Sequence, residues 1–269
     1  MKPDWKQLAV VAAVCLIKPV AGPLPILALQ FKQKPDVQTE ISTQVTRLQS
    51  HNIGTHNDAT KALVQLARGG HENEIRAHFQ NLIKSGRTNS DILASIPGAL
   101  AAINSRNTRS DLMAMAKSND SLLSSNARDA MASLAADKKA NLPPAERQGI
   151  VNMLHGVLND PFLKQDPAAQ LRRDPVKLAG AVRTHSDAMR ERASDFEAAA
   201  RNLGEIAAAG NLSIADCRKA LAEAKNLLKQ LKTYDQGNMS GPMYVNDAIS
   251  ALQKEIARQT KPAVARKLQ

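Results

Sequence analysis

The sequence predicts an all-α protein: short helical hairpins, solenoid-like in arrangement, followed by an antiparallel three-helix bundle. Three observations carry this. Hydrophobic residues make up 43% of the chain but aromatic residues only 3%. A core must then be built from Ala, Leu, Ile, Val and Met, which suits closely approaching helices better than a sheet. From Asp36 onward, apolar positions step by three and four, the helical period. In the last third of the chain that period sharpens into a seven-residue repeat.

The chain opens on "AVVAAVCLIKPVAGPLPILAL" (residues 9–29). Lys2 and Lys6 precede an apolar core at 7–17, and Val20-Ala21-Gly22 offers small residues for cleavage. This is the pattern of an export signal, although Pro23 directly follows. The alternatives are a buried element of a cytoplasmic protein and a membrane anchor. Lys18, Pro19, Gly22, Pro23 and Pro25 break the stretch, which disfavours the anchor. Residues 1–29 are therefore assigned to a signal-like segment, and export to the periplasm or medium is the expected localisation.

Residues 36–160 read as the helical-hairpin domain. "DVQTEISTQVTRLQ" fits a helix, while its alternation at Val37, Thr39, Ile41, Thr43 and Val45 also fits a strand. "NIGTHND" is read as a turn and cap before "ATKALVQLARGG", which Gly69-Gly70 closes. In "TNSDILASIPGALAAIN", Pro97 should kink or split the helix. The segments at 59–67 and 127–135 resemble each other at a separation of about 68 residues, twice a tetratricopeptide length. Pro143-Pro144 opens a further helix, striped by Ile150, Met153, Leu154, Val157 and Leu158. His155 beside this stripe is expected at the boundary, with its polar tip in water. "NDPFLKQDPAAQLRRDP" reads as a linker with a helical turn or two at most.

Residues 174–259 are expected to form the three-helix bundle. Val182, Met189, Phe196 and Leu203 recur every seven residues, with Ala179, Ser186, Ala193, Ala200 and Ala207 as a companion series. Gly210-Asn211 ends this helix and Ser213 caps the next, seamed by Ile214, Cys217, Leu221, Ala224, Leu228 and Leu231. Cys217 is expected to be a buried, small apolar side chain. Val245, Ile249, Leu252 and Ile256 line the third helix. A basic tail, 260–269, follows.

Chemistry is sparsely written. His71 and Glu72 begin "HENEIRAH", but His78 follows seven residues after His71 rather than the four a zinc-protease helix needs. Two cysteines and six scattered histidines make no metal-ligand pattern. No phosphate loop, dinucleotide fingerprint or nucleophile elbow occurs, so no metal and no cofactor is expected.

"LAGAVRTHSDAM" (178–189) sets Gly180 and Arg183 in a G-x-x-R spacing. The segment resembles the arginine-finger stretch of bacterial effector GTPase-activating proteins, G-x-L-R-x-x-x-T. Val182 stands in place of the Leu and Asp187 in place of the Thr. The resemblance implies that Arg183 would neutralise charge on a phosphoryl group in transfer. The heptad pattern places Arg183 inside a continuous helix, away from any loop.

A net charge of +11 permits anionic partners. The densest cations are Arg218, Lys219, Lys225, Lys229 and Lys232, with Arg266 and Lys267 in the tail. No aromatic residue lies among them, so no base-stacking platform is encoded. The functional expectation is a non-enzymatic helical interaction or scaffold protein, exported by a bacterium, with a protein partner and scope for oligomerisation through its seams. The alternatives are the GTPase-activating role of Arg183, and binding of nucleic acid or an anionic surface by the basic bundle.

Overall fold

The computed structural model describes residues 36–86, 89–167, 175–235, 237 and 240–261. The signal-like segment 1–29 lies outside the described residues, as do Arg266 and Lys267. The protein is all-α; the described residues contain helices and no strand.

Among the described residues, ten α-helices follow in order: α1 (Val37–Arg47), α2 (Ile53–Leu66), α3 (Glu72–Ser85), α4 (Ser90–Ile103) and α5 (Arg106–Met115), then α6 (Ser121–Ala136), α7 (Pro144–Leu158), α8 (Pro175–Ala208), α9 (Ile214–Tyr234) and α10 (Gly241–Thr260). Short 3₁₀ turns at Lys138–Ala140 and Pro161–Lys164 flank α7.

The ambiguous opening segment is helical. Ile41, Gln44, Val45 and Leu48 are buried, so the step of three and four prevails over the alternation. "NIGTHND" is not a turn. Asn52 caps α2 by accepting the Thr55 N–H (3.2 Å), and the helix begins at Ile53. Its break comes at Ala67–His71, a π-type segment in which Gly70 takes φ 98°. That left-handed conformation requires glycine. Pro97 does not split α4, which runs unbroken through it with the ring buried. Ser105 and Thr108 form a reciprocal capping box at the start of α5. Pro144 sits at the first position of α7, where its missing N–H costs nothing.

One contiguous core runs through the unit that spans Asp36–Gln269. The long helix α8 packs on α9 and α10 and also on α6 and α7. Polar contacts fasten the same joint. Arg128 of α6 pairs with Asp195 (3.4 Å), Asn202 Nδ2 donates to Asp129 Oδ1 (2.7 Å), and Asn211 Nδ2 donates to the carbonyls of Ala135 and Ala136 at the end of α6. Farther forward, Arg76 of α3 makes a two-pronged pair with Asp111 of α5 (2.6 and 3.0 Å).

The α8 seam is buried from Met189 through Phe196, Leu203 and Ala207, whereas Ala179 is exposed. On α9 the buried side is turned slightly from the expected seam. Ala220 and Leu227 are buried, and Leu221 and Leu228 only partly so. Small residues let the axes close in. A Cβ on Gly204 would stand 2.8 Å from Ala248 Cα on α10, below any normal contact. Gly204→Ala should therefore destabilise the protein by about 1–3 kcal/mol, although alanine favours helix, because backbone has to give way. Urea denaturation checks this; a more stable variant would contradict the close approach.

Near the end of α10, buried Glu255 accepts two bonds from Arg258 (2.6 and 2.5 Å) and one from Gln259 Nε2 (2.7 Å). Gln259 Nε2 also reaches the Leu212 carbonyl (2.8 Å), tying α10 to the α8–α9 turn. The bonds from Arg258 hold the Glu255 carboxyl below its ordinary value of 4.5. A depressed carboxyl stabilises the fold above its unfolded-state value, and that contribution is lost as pH falls through the folded-state value. The wild type should thus lose stability below about pH 4.5, and Glu255→Gln should lose less over the same interval. Urea midpoints of both proteins at about pH 6 and about pH 3 provide the comparison.

Candidate functional site

The candidate site is the outer face of α9. Ser213 starts the helix by accepting the Asp216 N–H (3.1 Å) and donating its hydroxyl to Asp216 Oδ2 (2.5 Å). Cys217, Ala220, Ala224, Leu227, Leu231 and Tyr234 then bury one side against the neighbouring helices. The opposite side carries Arg218, Lys225, Lys229 and Lys232, all exposed. At 100° per residue these four fall within an arc of about 60° and run about 21 Å along the axis. Exposed Ala222 separates Arg218 from Lys225, and exposed Ala215 precedes the row, without adding charge. Lys219, also exposed, lies about a quarter-turn away. Among the described residues none of the five has an ion-pair partner.

The two acids of α9 do not share this face. Glu223 Oε2 lies 2.5 Å from His155 Nδ1, and Asp216 Oδ1 lies 3.9 Å from His155 Nε2. The His155 side chain is 2% exposed. The expectation of a boundary histidine with a wet tip is thereby corrected. The α7 stripe is wide enough to carry residue 155 into the joint with α9, where carboxylates replace water as its partners. Nδ1 donates to Glu223, while Nε2 is buried without a hydrogen bond. His155 thus holds Glu223 on the inner flank, Asp216 lies on the same flank with its carboxylate bonded to Ser213, and the outer face is left cationic.

A second histidine, His185 of α8, is also buried. It stacks on Phe162 (centroids 4.3 Å apart) and meets Tyr234 edge-on (4.5 Å). The Arg192 guanidinium lies over Phe162 and Phe196 and pairs with Asp160. Tyr234 Oη donates to Asp166 Oδ1 (2.9 Å), and Asn226 Nδ2 to the Leu163 carbonyl (3.0 Å). The segment expected as a linker is pinned to α8 and α9 over Asp160–Asp166.

Arg183 is exposed within the unbroken α8. Asp187, where the arginine-finger pattern carries Thr, pairs with Arg190 one turn along (3.1 Å). Cys217 is buried, and burial pushes its thiol up to about 11, with Glu255 and Asp216 adding to the effect. It is a packing residue at neutral pH. His71 lies 3.5 Å from Glu74, on the π-type segment, while His78 stands on α3, where burial lowers its affinity for a proton. Among the described residues, no helix is long and apolar enough to cross a membrane.

Sequence reasoning located the cations but not their common face. The signal was available: 218, 225, 229 and 232 keep a helical step, and 216 and 223 are offset from them by nearly half a turn. The partner His155 had no local signal, being 68 residues from Glu223. No protein-family model matches the chain, and comparison with curated proteins finds no match.

If His155 holds Glu223 inward, His155→Ala strands that carboxylate in a joint without a partner. The loss should be about 3 kcal/mol, and His155→Leu combined with Glu223→Leu should recover much of it. Denaturation of the single and double variants measures this; additive losses would show that the pair is not coupled.

Proposed function

We propose that the protein is a non-catalytic helical interaction module that docks an anionic partner surface on α9. The observation that supports this reading is the single exposed face of Arg218, Lys225, Lys229 and Lys232, from which Glu223 and Asp216 are turned away. Segregated charge of one sign raises the rate of encounter with an opposite charge and supplies affinity that salt screens. A rigid row about 21 Å long suits an extended row of carboxylates or phosphates. Stacking on bases is not provided for, since no aromatic side chain lies on this face. An acidic protein surface needs no such platform.

The test is binding of the full chain to a fluorescent polyglutamate peptide, with duplex DNA in parallel. Log affinity should fall steeply with log salt. On duplex DNA, four phosphate contacts correspond to a slope of about −3.6. Changing Arg218, Lys225, Lys229 and Lys232 together to Gln should abolish most of that slope without lowering stability, since all four are exposed. Salt-insensitive binding, or an unchanged slope in the fourfold variant, would sink the reading. A preference for duplex over peptide would move the partner from protein to nucleic acid.

A further inference from the structure

A second surface, distinct from the basic face of α9, lies among α5, α6 and α7. It is a half-open groove of about 400 Å³. Its apolar lining is Met113 of α5, Met131 and Leu134 of α6, Leu142 of the connecting loop and Ile150 of α7. Volume and lining fall within the range of sites for small ligands. The groove stays open at Gly149. A Cβ there would meet only Met113 Cε, at an ordinary 3.8 Å, so the missing side chain leaves space that nothing else fills. Two methionines give the wall a soft, adaptable surface.

The polar groups at its edge are arranged unequally. Arg109 is spent on its own neighbours. Its Nε and Nη2 bind both oxygens of Glu146 (2.5 and 3.4 Å), and Nη1 donates to the carbonyl and side-chain oxygens of Asn104 (2.8 and 3.2 Å). Asn104 itself stands in the left-handed region, φ 53°, and Nδ2 donates to the Ala140 carbonyl (2.9 Å). The Glu146 charge is therefore cancelled by a braced arginine. Arg106, one turn away on α5, also lines the groove, is exposed, and has no ion-pair partner among the described residues. The groove thus combines an aliphatic interior with one uncommitted cation at its rim.

We infer that this groove binds an aliphatic monocarboxylate of the fatty-acid class, with the chain against Met113, Met131, Leu134, Leu142 and Ile150 and the carboxylate on Arg106. The complementarity is of charge and of shape. An aliphatic tail would cover the half-buried Met113 thioether and lie over the largely buried Met131, Leu134, Leu142 and Ile150 at the groove floor. A single negative head meets a single unpaired guanidinium, which can bind it with two parallel hydrogen bonds. The lining holds no aromatic ring on which a planar ligand would stack. A second carboxylate would meet the Glu146 carboxylate in the lining, and a monoanion avoids this.

The probe is decanoate, with decanol as the uncharged control, titrated into the full chain with ¹³C-labelled methionine methyls. Decanoate should shift the Met113 and Met131 signals saturably, and decanol should bind about tenfold more weakly. Arg106→Gln, an exposed change, should bring decanoate down to the level of decanol. Ala145→Phe places a ring in the groove from an exposed position on α7 and should abolish the shifts for both ligands, with an unchanged thermal midpoint showing that the fold is kept. Three results would overturn the assignment: no saturable shift at Met113 and Met131, equal binding of decanol, or decanoate binding unaffected by Ala145→Phe. Loss of the α9 cations should leave decanoate binding unchanged, so the groove stands or falls apart from the proposed docking face.

Discussion

The close approach of α8 and α10 at Gly204 and Ala248 is the constraint on which the rest of the fold depends. With so few aromatic side chains, this protein cannot fill wide gaps between helices. It must bring backbones together instead. The Cα of residue 204 sits where a methyl group would already collide with Ala248. Ala193, Ala199, Ala200 and Ala207 on α8, and Ala220 and Ala224 on α9, extend the same strategy. Close packing of small residues gains dispersion contacts that a looser arrangement would forfeit. It also fixes rotation. A helix that packs through alanines has little freedom to turn without opening a void, so the direction of every side chain on its far side is set as well.

That rotational constraint is what turns the composition of α9 into a surface. Its cations and acids alternate in sequence, and a small rotation would mix them in solvent. Because Ala220, Ala224 and Leu227 must face inward, Asp216 and Glu223 fall on the flank next to α7. There the buried His155 bonds Glu223 through Nδ1, with Asp216 3.9 Å from its other ring nitrogen. Burying a carboxylate is costly unless it is paired, and the imidazole supplies the pairing. The same joint brings Asn226 and Tyr234 onto the segment Asp160–Asp166. Charge on the outside and hydrogen bonds on the inside are two results of one helix orientation.

Much of the fold was legible because helical periodicity is a local signal. The α8 seam, the cap at Ser213 and the proline entry at Pro144 are each written within one or two turns of chain. What was missed depends on distance or on competing local terms. "NIGTHND" carries turn residues, yet Asn52 uses its side chain as a cap and the rest join the helix. Pro97 should interrupt α4, but burial of Ile96, Ala99 and Leu100 around it holds the helix together. His155 needed knowledge of α9, far along the chain. Of the candidate site, the residues could be named from sequence; their common face required knowing which side of α9 is buried. The groove beside Arg106 needed three helices at once and had no sequence signature.

The chemistry of the α9 face bears on what kind of recognition it can perform. Three of its four cations are lysines, compact charges on flexible stems, each with donors that adapt to any nearby anion. Reading a base edge calls for fixed, two-pronged donors, and phosphate contacts alone position a protein without selecting a sequence. In the proposed docking, a lysine row on a rigid helix would give orientation and salt-dependent affinity, with selectivity left to the shape of the partner. Arg183 differs in both respects: it stands alone on the outer side of α8, two residues before a histidine that is buried in an aromatic cluster. A guanidinium there is carried on a helix held on its inner side by Phe162 and Tyr234. To reach into another protein's site it would need a partner that closes over the helix, since no loop projects it. In the proposed docking, the row on α9 would need no such rearrangement, because its cations already stand exposed along one helix face.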